Sequence, residues 1–139
     1  MSTAGFRTAV VVRWSDMDAY GHLNHARTVT LLEEARVAVL FAPGQPLSSL
    51  AAGVLVASLS IRYHRQLVHA DSPLEVSMWV SRLRGADCDL SYELRPAGVT
   101  DDVAPSVSAV TQLVAFDMAA QRPRRFTDGE KQALARAQR

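Results

Sequence analysis

The sequence predicts an α+β domain in which a mostly antiparallel, five-stranded sheet wraps around one long central helix. One strand-like run, one long helical run and four further strand-like runs follow one another along the 139 residues. Hydrophobic residues make up 48% of the chain, which is enough for one globular core. We therefore expect a single domain over residues 1–139, with a core at about 6–118 and a basic helix or tail at about 121–139.

The first strand is predicted over residues 6–14, where β-branched and apolar residues predominate. The long helix is predicted over 24–41, with Asn24 as its N-cap. Its apolar residues recur at spacings of three and four, as shown by Val29, Leu32, Ala35 and Val39. Further apolar side chains widen this stripe, so we expect other elements to pack around the helix.

Strand character returns in four runs, near 55–63, 74–83, 89–95 and 107–118. In the first of these runs, strict alternation predicts an apolar face with Leu55, Ala57, Leu59, Ile61 and Tyr63. The opposite face would carry Ser58, Ser60, Arg62 and His64. A capping-box pattern from Thr127 to Glu130 predicts a short C-terminal helix.

Charge and apolar patterning exclude several classes of partner. The net charge of +1 divides into +4 over residues 121–139 and −3 over residues 1–120. We interpret the basic segment as a solvated helix and predict no nucleic-acid binding, because the rest of the chain is acidic. The apolar run at 9–12 is too short for a signal peptide or a membrane span, so we predict no membrane contact. The lone Cys88 permits no internal disulfide, and we expect a reducing, cytoplasmic location.

The segment between the first strand and the long helix carries the most functional information. Residues 13–25 contain two acidic residues, one glycine, two histidines and a helix-capping asparagine: Asp16, Asp18, Gly21, His22, His25 and Asn24. A carboxylate beside the amide-rich start of a helix supplies a base or nucleophile next to donors for an anionic transition state. The segment therefore predicts a reaction centre.

The same segment contains suitable ligand types for a metal ion, namely Asp16, Asp18, His22 and His25. Two histidines three residues apart at a helix entry need not converge, and no further histidine or cysteine cluster supports them. We predict no metal and no cofactor.

The run from Asp16 to Arg27 resembles the active-site segment of hot-dog-fold acyl-CoA thioesterases, in the 4-hydroxybenzoyl-CoA thioesterase-like branch. The order of elements agrees with that fold, and the stretches 31–36 and 61–67 are also similar to stretches of the branch. The resemblance covers about residues 6–118 and implies the hot-dog fold. One departure is Thr28, where members commonly carry an aromatic residue, and it bears on the size of the acyl pocket.

The resemblance implies that Asp18 is the catalytic acidic residue and that the backbone amide of His25 is the oxyanion donor. Asp18 would either attack the thioester carbonyl or deprotonate a water molecule, and the sequence leaves both routes open. We assign Asp16 and Gly21 to support of the loop. His22 and Asn24 are candidate substrate-binding residues.

The resemblance also places each active site between two subunits, so we expect a homodimer or a dimer of dimers. The polar face of the 55–63 strand and its end would then contribute substrate-binding residues: Ser60, Arg62, His64 and Arg65. Arg62, Arg65, Arg82 and Arg84 are candidates for the phosphates of coenzyme A.

The predicted function is hydrolysis of an acyl-CoA thioester to a carboxylic acid and coenzyme A, which is part of the substrate and no cofactor. Two alternatives stay open. One is a thioesterase that acts on acyl groups bound to acyl carrier protein, and the other is a non-catalytic acyl-CoA-binding module.

Overall fold

The computed structural model describes residues 4–139, so residues 1–3 of the predicted domain lie outside the described residues. These described residues form two helices and six strands, with short 3-10 turns at Trp14–Asp16, Ser48–Ala52 and His69–Asp71. The helices are α1 (His25–Leu40) and α2 (Asp128–Arg136). The strands are β1 (Phe6–Val10), β2 (Val54–Tyr63), β3 (Leu74–Leu83), β4 (Asp87–Arg95), β5 (Val107–Asp117) and β6 (Arg122–Pro123). The α+β class is as predicted.

All strand pairs are antiparallel, and the strand order is β1-β3-β4-β5-β2. The two-residue strand β6 pairs with β5 and makes a sixth strand where five were predicted. Strands β1 and β2 therefore form the two edges of the main sheet. This order leaves one side of β2 without a strand partner among residues 4–139.

Strand β1 is shorter than predicted, because it ends at Val10 and not near Trp14. Val10 pairs with Leu74, the first residue of β3, so β3 contains no residue with which Val11 could pair. Beyond that point side chains satisfy the backbone: the Val12 amide donates to Ser72 Oγ over 2.9 Å, and the Arg13 amide donates to Asp16 Oδ2 over 2.8 Å. The chain turns away from the sheet here and enters the segment that contains Asp18.

Strand β2 contains an irregularity that the predicted alternation misses. The pairing register with β5 shifts between Val56 and Ser58, so Ala57 is an extra residue in the strand. A one-residue shift exchanges the two faces of a strand. Leu55 therefore shares a face with Ser58, contrary to prediction, and Val56 shares the face of Leu59, Ile61 and Tyr63.

Helix α1 agrees with its predicted bounds to within one residue at each end, and Asn24 is its N-cap. The side chains that it buries are Thr28, Leu31, Leu32, Ala35, Arg36 and Leu40. The apolar members join the core together with buried residues of β3, β4 and β5. The predicted C-terminal helix is confirmed as α2, which begins after Thr127 and buries Ala133 and Leu134. Among residues 4–139, no helix has the length and apolar content that a membrane crossing requires.

Candidate active site

Asp16 braces the turn that leads to α1. Its carboxylate accepts hydrogen bonds from the backbone amide and the guanidinium of Arg13, at 2.8 and 3.3 Å, while its carbonyl oxygen accepts from the Asn24 amide at 2.9 Å. The residue is only 1% exposed. Burial alone would raise the pKa of the Asp16 carboxyl, but the Arg13 contacts outweigh it and hold the pKa below its usual value. This geometry suits a structural role.

Asp18 is half-buried, two residues further along the same turn. Its Oδ1 atom accepts hydrogen bonds from the backbone amides of Tyr20 and His22, at 2.8 and 3.1 Å. The backbone amide of Asp18 donates to the His22 carbonyl oxygen over 2.7 Å, which closes the turn. No described residue bonds to the second carboxylate oxygen, Oδ2. One oxygen of Asp18 is thus fixed and the other is available to a substrate.

The surroundings of Asp18 favour its ionised form. The hydrogen bond from the His22 amide lowers the pKa of the carboxyl most, and partial burial opposes it. The Tyr20 amide and the nearby rings of His22 and His25 lower the pKa further. A carboxylate with a lowered pKa is a weak base at neutral pH, although it stays fully available as a nucleophile.

Helix α1 starts with one unpaired amide. The Asn24 side-chain oxygen accepts from the amides of Ala26 and Arg27, at 2.8 and 3.3 Å, and the Thr28 amide donates to the Asn24 carbonyl. Within residues 4–139 no such acceptor is present for the His25 amide. The cap therefore leaves the predicted oxyanion donor free and satisfies the amides that follow it.

Gly21 allows the turn to close. Its φ is +78°, and a Cβ added there would meet no atom within 4 Å. Gly21 therefore supports the loop through its backbone conformation, and no close approach of another part of the described chain requires it. His22 is half-buried beside this glycine and contacts Asp18 through its backbone.

Tyr63 joins β2 to the start of α1, a contact that the sequence analysis does not predict. Its hydroxyl donates to the carbonyl oxygen of His25 over 2.7 Å. Partial burial raises the pKa of this phenol, so it remains a donor at neutral pH. The sequence analysis places Tyr63 on the apolar face of the 55–63 strand. A tyrosine at the end of such a face indicates a polar partner for its hydroxyl, and this is the signal that could have found the contact.

The predicted substrate-binding residues of β2 lie on the other face of the sheet. Ser60 and Arg62 pair with Val110 and Ser108, on the face opposite to Tyr63. Just beyond the strand, His64 contacts Ser108 through its ring nitrogen at 2.8 Å, and Arg65 is exposed. Ser60 and Arg62 therefore lie on the side of the sheet away from the contact between Tyr63 and His25. A role in substrate binding would require a second subunit or a long substrate.

The arginines predicted to meet coenzyme A differ in their availability. Arg62, Arg65 and Arg82 are exposed. Arg84 instead donates to Asp87 and Asp89, at 2.6 and 3.1 Å, and the bonds to Asp89 raise the pKa of its guanidinium most. Arg84 is therefore held within its own hairpin. Between residues 4 and 139 no group of three or more His, Cys, Asp or Glu side chains is placed to hold a metal ion.

Comparison with protein families decides the wider class. A sequence model of the thioesterase-like superfamily matches residues 12–134. The chain belongs to this superfamily. Comparison with curated proteins gave no match. The predicted resemblance to hot-dog thioesterases is confirmed.

Solved structures of thioesterase-like proteins share the fold over nearly the whole chain. A predicted thioesterase from Bacillus stearothermophilus is 18% identical, with a TM-score of 0.82 and coverage of 98% of each chain. A Pseudomonas aeruginosa protein with a provisional thioesterase assignment is 27% identical, with a TM-score of 0.77 over 94% of this chain and 98% of that one. A Thermus thermophilus thioesterase in complex with coenzyme A and zinc is 19% identical, with a TM-score of 0.76, over 96% and 94%. The predicted hot-dog fold is therefore confirmed.

Proposed function

We propose that this thioesterase-like protein hydrolyses acyl-CoA thioesters at the start of α1. The single observation that carries the proposal is the pairing of an ionised carboxylate with an unpaired amide on one short turn. Asp18 presents a free Oδ2, and the His25 amide follows it by seven residues at the positive end of the helix. A carbonyl placed between them would meet a nucleophile on carbon and a donor on oxygen.

In the proposed reaction Asp18 Oδ2 attacks the thioester carbonyl carbon, and the developing oxyanion accepts a hydrogen bond from the His25 amide. The C–S bond breaks, coenzyme A leaves as a thiolate and takes a proton from solvent, and an acyl-Asp18 anhydride remains. Water then hydrolyses the anhydride, which releases the carboxylic acid and restores the carboxylate. The lowered pKa of Asp18 favours this route over deprotonation of water by Asp18.

Two features support coenzyme A as the thiol carrier. A structural neighbour from Thermus thermophilus binds coenzyme A, and exposed arginines near the end of β2 offer partners for phosphates. An acyl-carrier-protein substrate is the alternative. Parallel assays with one acyl group on both carriers separate the two, because only one carrier should support rapid release.

We further propose at least a homodimer, assembled through the β2 side of the sheet. Strand β2 is an edge strand, and several of its apolar side chains are exposed to solvent: Val56 is 47%, Leu59 39% and Tyr63 48% exposed. A second subunit placed there would cover them and would bring new side chains to the site beside Tyr63. Light scattering of the purified protein tests the assembly, and a monomer at micromolar concentration would contradict it.

The decisive experiment compares wild type with Asp18→Asn on a panel of short, medium, long and aromatic acyl-CoAs. Replacing the carboxylate should lower kcat on the best substrate at least about 10²-fold. Asp117→Asn is the matched control, because Asp117 Oδ1 also accepts from two backbone amides, those of Ala119 and Ala120, at the far end of β5. Asp117→Asn should keep wild-type turnover.

Two outcomes would contradict this assignment. Equal activity of Asp18→Asn and wild type would remove Asp18 from the reaction. Binding of acyl-CoA without any turnover that depends on Asp18 would favour the non-catalytic binding module. Mass spectrometry of a rapidly quenched reaction tests the anhydride directly, since an acyl adduct should appear on the peptide that contains Asp18.

A further inference from the structure

A groove runs along α1 on the side that faces β2. It encloses a cavity of about 220 Å³, lined on the helix by Val29, Leu32 and Arg36 and on the sheet by Val56, Leu59 and Thr111. Thr30 and Glu33 also line it, so apolar and polar side chains contribute equally to the lining. The groove therefore offers both an apolar surface, at Val29, Leu32, Val56 and Leu59, and the charged group of Arg36.

The groove lies on the same faces of α1 and β2 as His25 and Tyr63. His25, Val29, Leu32 and Arg36 follow one another at spacings of four, three and four, so they lie on one face of α1. Tyr63 contacts His25, and Leu59 and Val56 continue from Tyr63 on the same face of β2. The rise from His25 to Arg36 is about 16 Å, and the Arg36 side chain leans back toward the helix start. A chain that follows these two faces from the oxyanion donor would therefore pass through the groove and reach the guanidinium of Arg36.

The guanidinium of Arg36 is poorly supplied with acceptors. The residue is 7% exposed, and its Nη1 atom donates a hydrogen bond to the Tyr92 hydroxyl over 3.1 Å. The Tyr92 hydroxyl in turn contacts Thr111 Oγ1 at 2.6 Å. The nearest carboxylate, Glu33, lies 3.9 Å from Nη2, on a side chain that is 67% exposed. An arginine has five N–H donors, so most of those on Arg36 have no acceptor within residues 4–139.

The remaining donors of Arg36 retain access to the cavity. No fully buried side-chain nitrogen or oxygen within the described residues lacks a hydrogen-bond partner. The guanidinium nitrogens of Arg36 that lack a hydrogen-bond partner are therefore not fully buried. Arg36 lines the cavity, so we infer that these nitrogens face it. A plain alkyl chain in this space would displace water from these donors and replace none of its hydrogen bonds, which costs binding free energy.

We propose that the groove holds the acyl group of the thioester and that Arg36 selects acyl groups with an acceptor oxygen at the end distal to the thioester. A carboxylate or a hydroxyl would serve, because both accept hydrogen bonds from a guanidinium. This inference rests on the proposed function and adds a substrate class to it. Glu33 is the counter-ion that an incoming carboxylate displaces, because its contact with Arg36 is long and its side chain is exposed.

The test uses acyl-CoAs of about six to twelve carbons, a range set by the groove length, whose chains end in a methyl, a hydroxyl or a carboxylate group. Wild type should favour the oxygen-bearing chains by about 10- to 100-fold in kcat/KM. Arg36→Met should reduce this preference to near one, with little loss on the methyl-ended chain. A preference that survives Arg36→Met would overturn the role of Arg36.

Arg36 is buried, so Arg36→Met could fail to fold. Variants at exposed positions therefore provide a second test of the groove. Glu33→Gln removes the competing anion and should raise the preference for the carboxylate over the hydroxyl. Leu59→Trp should fill the groove and lower kcat/KM for long chains while sparing acetyl-CoA, and light scattering checks that the variant keeps the oligomeric state of wild type. Val110→Trp is its matched control, because Val110 and Leu59 are each 39% exposed and Val110 lies on the opposite face of the sheet. Equal effects of the two tryptophans would exclude the groove as the acyl site.

Failure of this inference is distinguishable from failure of the proposed function. Hydrolysis that depends on Asp18 but ignores the chain end would overturn the inference alone. If no thioester is hydrolysed, the proposed function fails. The selectivity of Arg36 for the chain end is then tested by measuring binding affinity. Calorimetry with stable CoA thioethers that carry the same three chain ends should show tighter binding of the oxygen-bearing chains, lost in Arg36→Met. Equal affinities would overturn it.

Discussion

The Tyr63 hydroxyl holds the carbonyl oxygen of His25 at 2.7 Å, across 38 residues of chain. The amide of the same residue, His25, is the candidate oxyanion donor. Tyr63 thus fixes the peptide group that follows the donor, and it ties the edge strand β2 to the start of α1. A positioning contact of this kind should affect turnover more than substrate binding.

Tyr63→Phe removes this hydrogen bond and preserves the ring. We expect kcat to fall by about 3- to 10-fold, because one net hydrogen bond contributes about 0.5–1.5 kcal/mol. KM should change little. Steady-state kinetics with Tyr20→Phe as the control measures this, since Tyr20 is 85% exposed and its hydroxyl makes no hydrogen bond to the described residues. Equal losses in both variants would show that Tyr63 does not position the site.

The pH dependence of kcat/KM should report the ionisation of Asp18. The reactive form is the carboxylate, and its pKa lies below the ordinary value of 3.8. Activity should therefore be level from neutral pH down to about 4 and fall only at lower pH, as the carboxylate becomes protonated. An acidic limb centred near pH 6 would point to a histidine instead and would contradict the role of Asp18. Circular dichroism at each pH separates loss of activity from loss of fold.

The two helix caps offer a matched pair for testing what Asn24 does. Asn24 accepts from the amides of Ala26 and Arg27, and Thr127 accepts from the amide of Glu130 at the start of α2. Each alanine replacement should lower the free energy of unfolding by about 1 kcal/mol. Only Asn24→Ala should also lower kcat, because it loosens the helix start that carries the His25 amide.

Urea unfolding and steady-state kinetics on both variants check this prediction. A fall in kcat for Thr127→Ala as large as that for Asn24→Ala would show that loss of stability, and not the local geometry, is responsible.

The parts of the site that depend on neighbouring residues in the chain were predictable from the sequence. Asn24 as N-cap follows from short-range rules, as does the turn around Gly21, because the atoms that bond are within a few residues. The faces of β2 were not predictable, since the extra residue at Ala57 is set by pairing with β5. The contacts of Tyr63 and Arg36 also join distant parts of the chain, and periodicity carries no information about them.

The burial of two charged side chains could not be predicted from the sequence. Arg36 and Glu130 occupy helix positions at which the sequence alone favours ordinary surface charges, yet they are 7% and 2% exposed. Each is buried because a specific partner is present: Tyr92 for Arg36, and Arg124 for Glu130. Such pairs become visible only when the sheet and helices are placed together.

Glu130 should make folding sensitive to acid. Burial alone would raise the pKa of its carboxyl, but bidentate hydrogen bonds from Arg124 and one from Ser49 outweigh it and hold the pKa at about 2, below the ordinary 4.5. A carboxyl whose pKa is lowered by folding contributes stability that is complete above pH 4.5. That contribution is lost as the pH falls from 4.5 toward 2.

Glu130→Gln should therefore lower the free energy of unfolding by about 2 kcal/mol at pH 7, because the bonds to a charged group are lost. The gap from wild type should narrow as the pH approaches 2, where wild type also becomes uncharged at this position. Urea unfolding at pH 7 and pH 3 measures both values. Glu34→Gln, at an exposed position on α1, should change stability by less than about 0.5 kcal/mol at either pH. A gap that stays constant with pH would mean that packing of Glu130, and not its charge, stabilises α2.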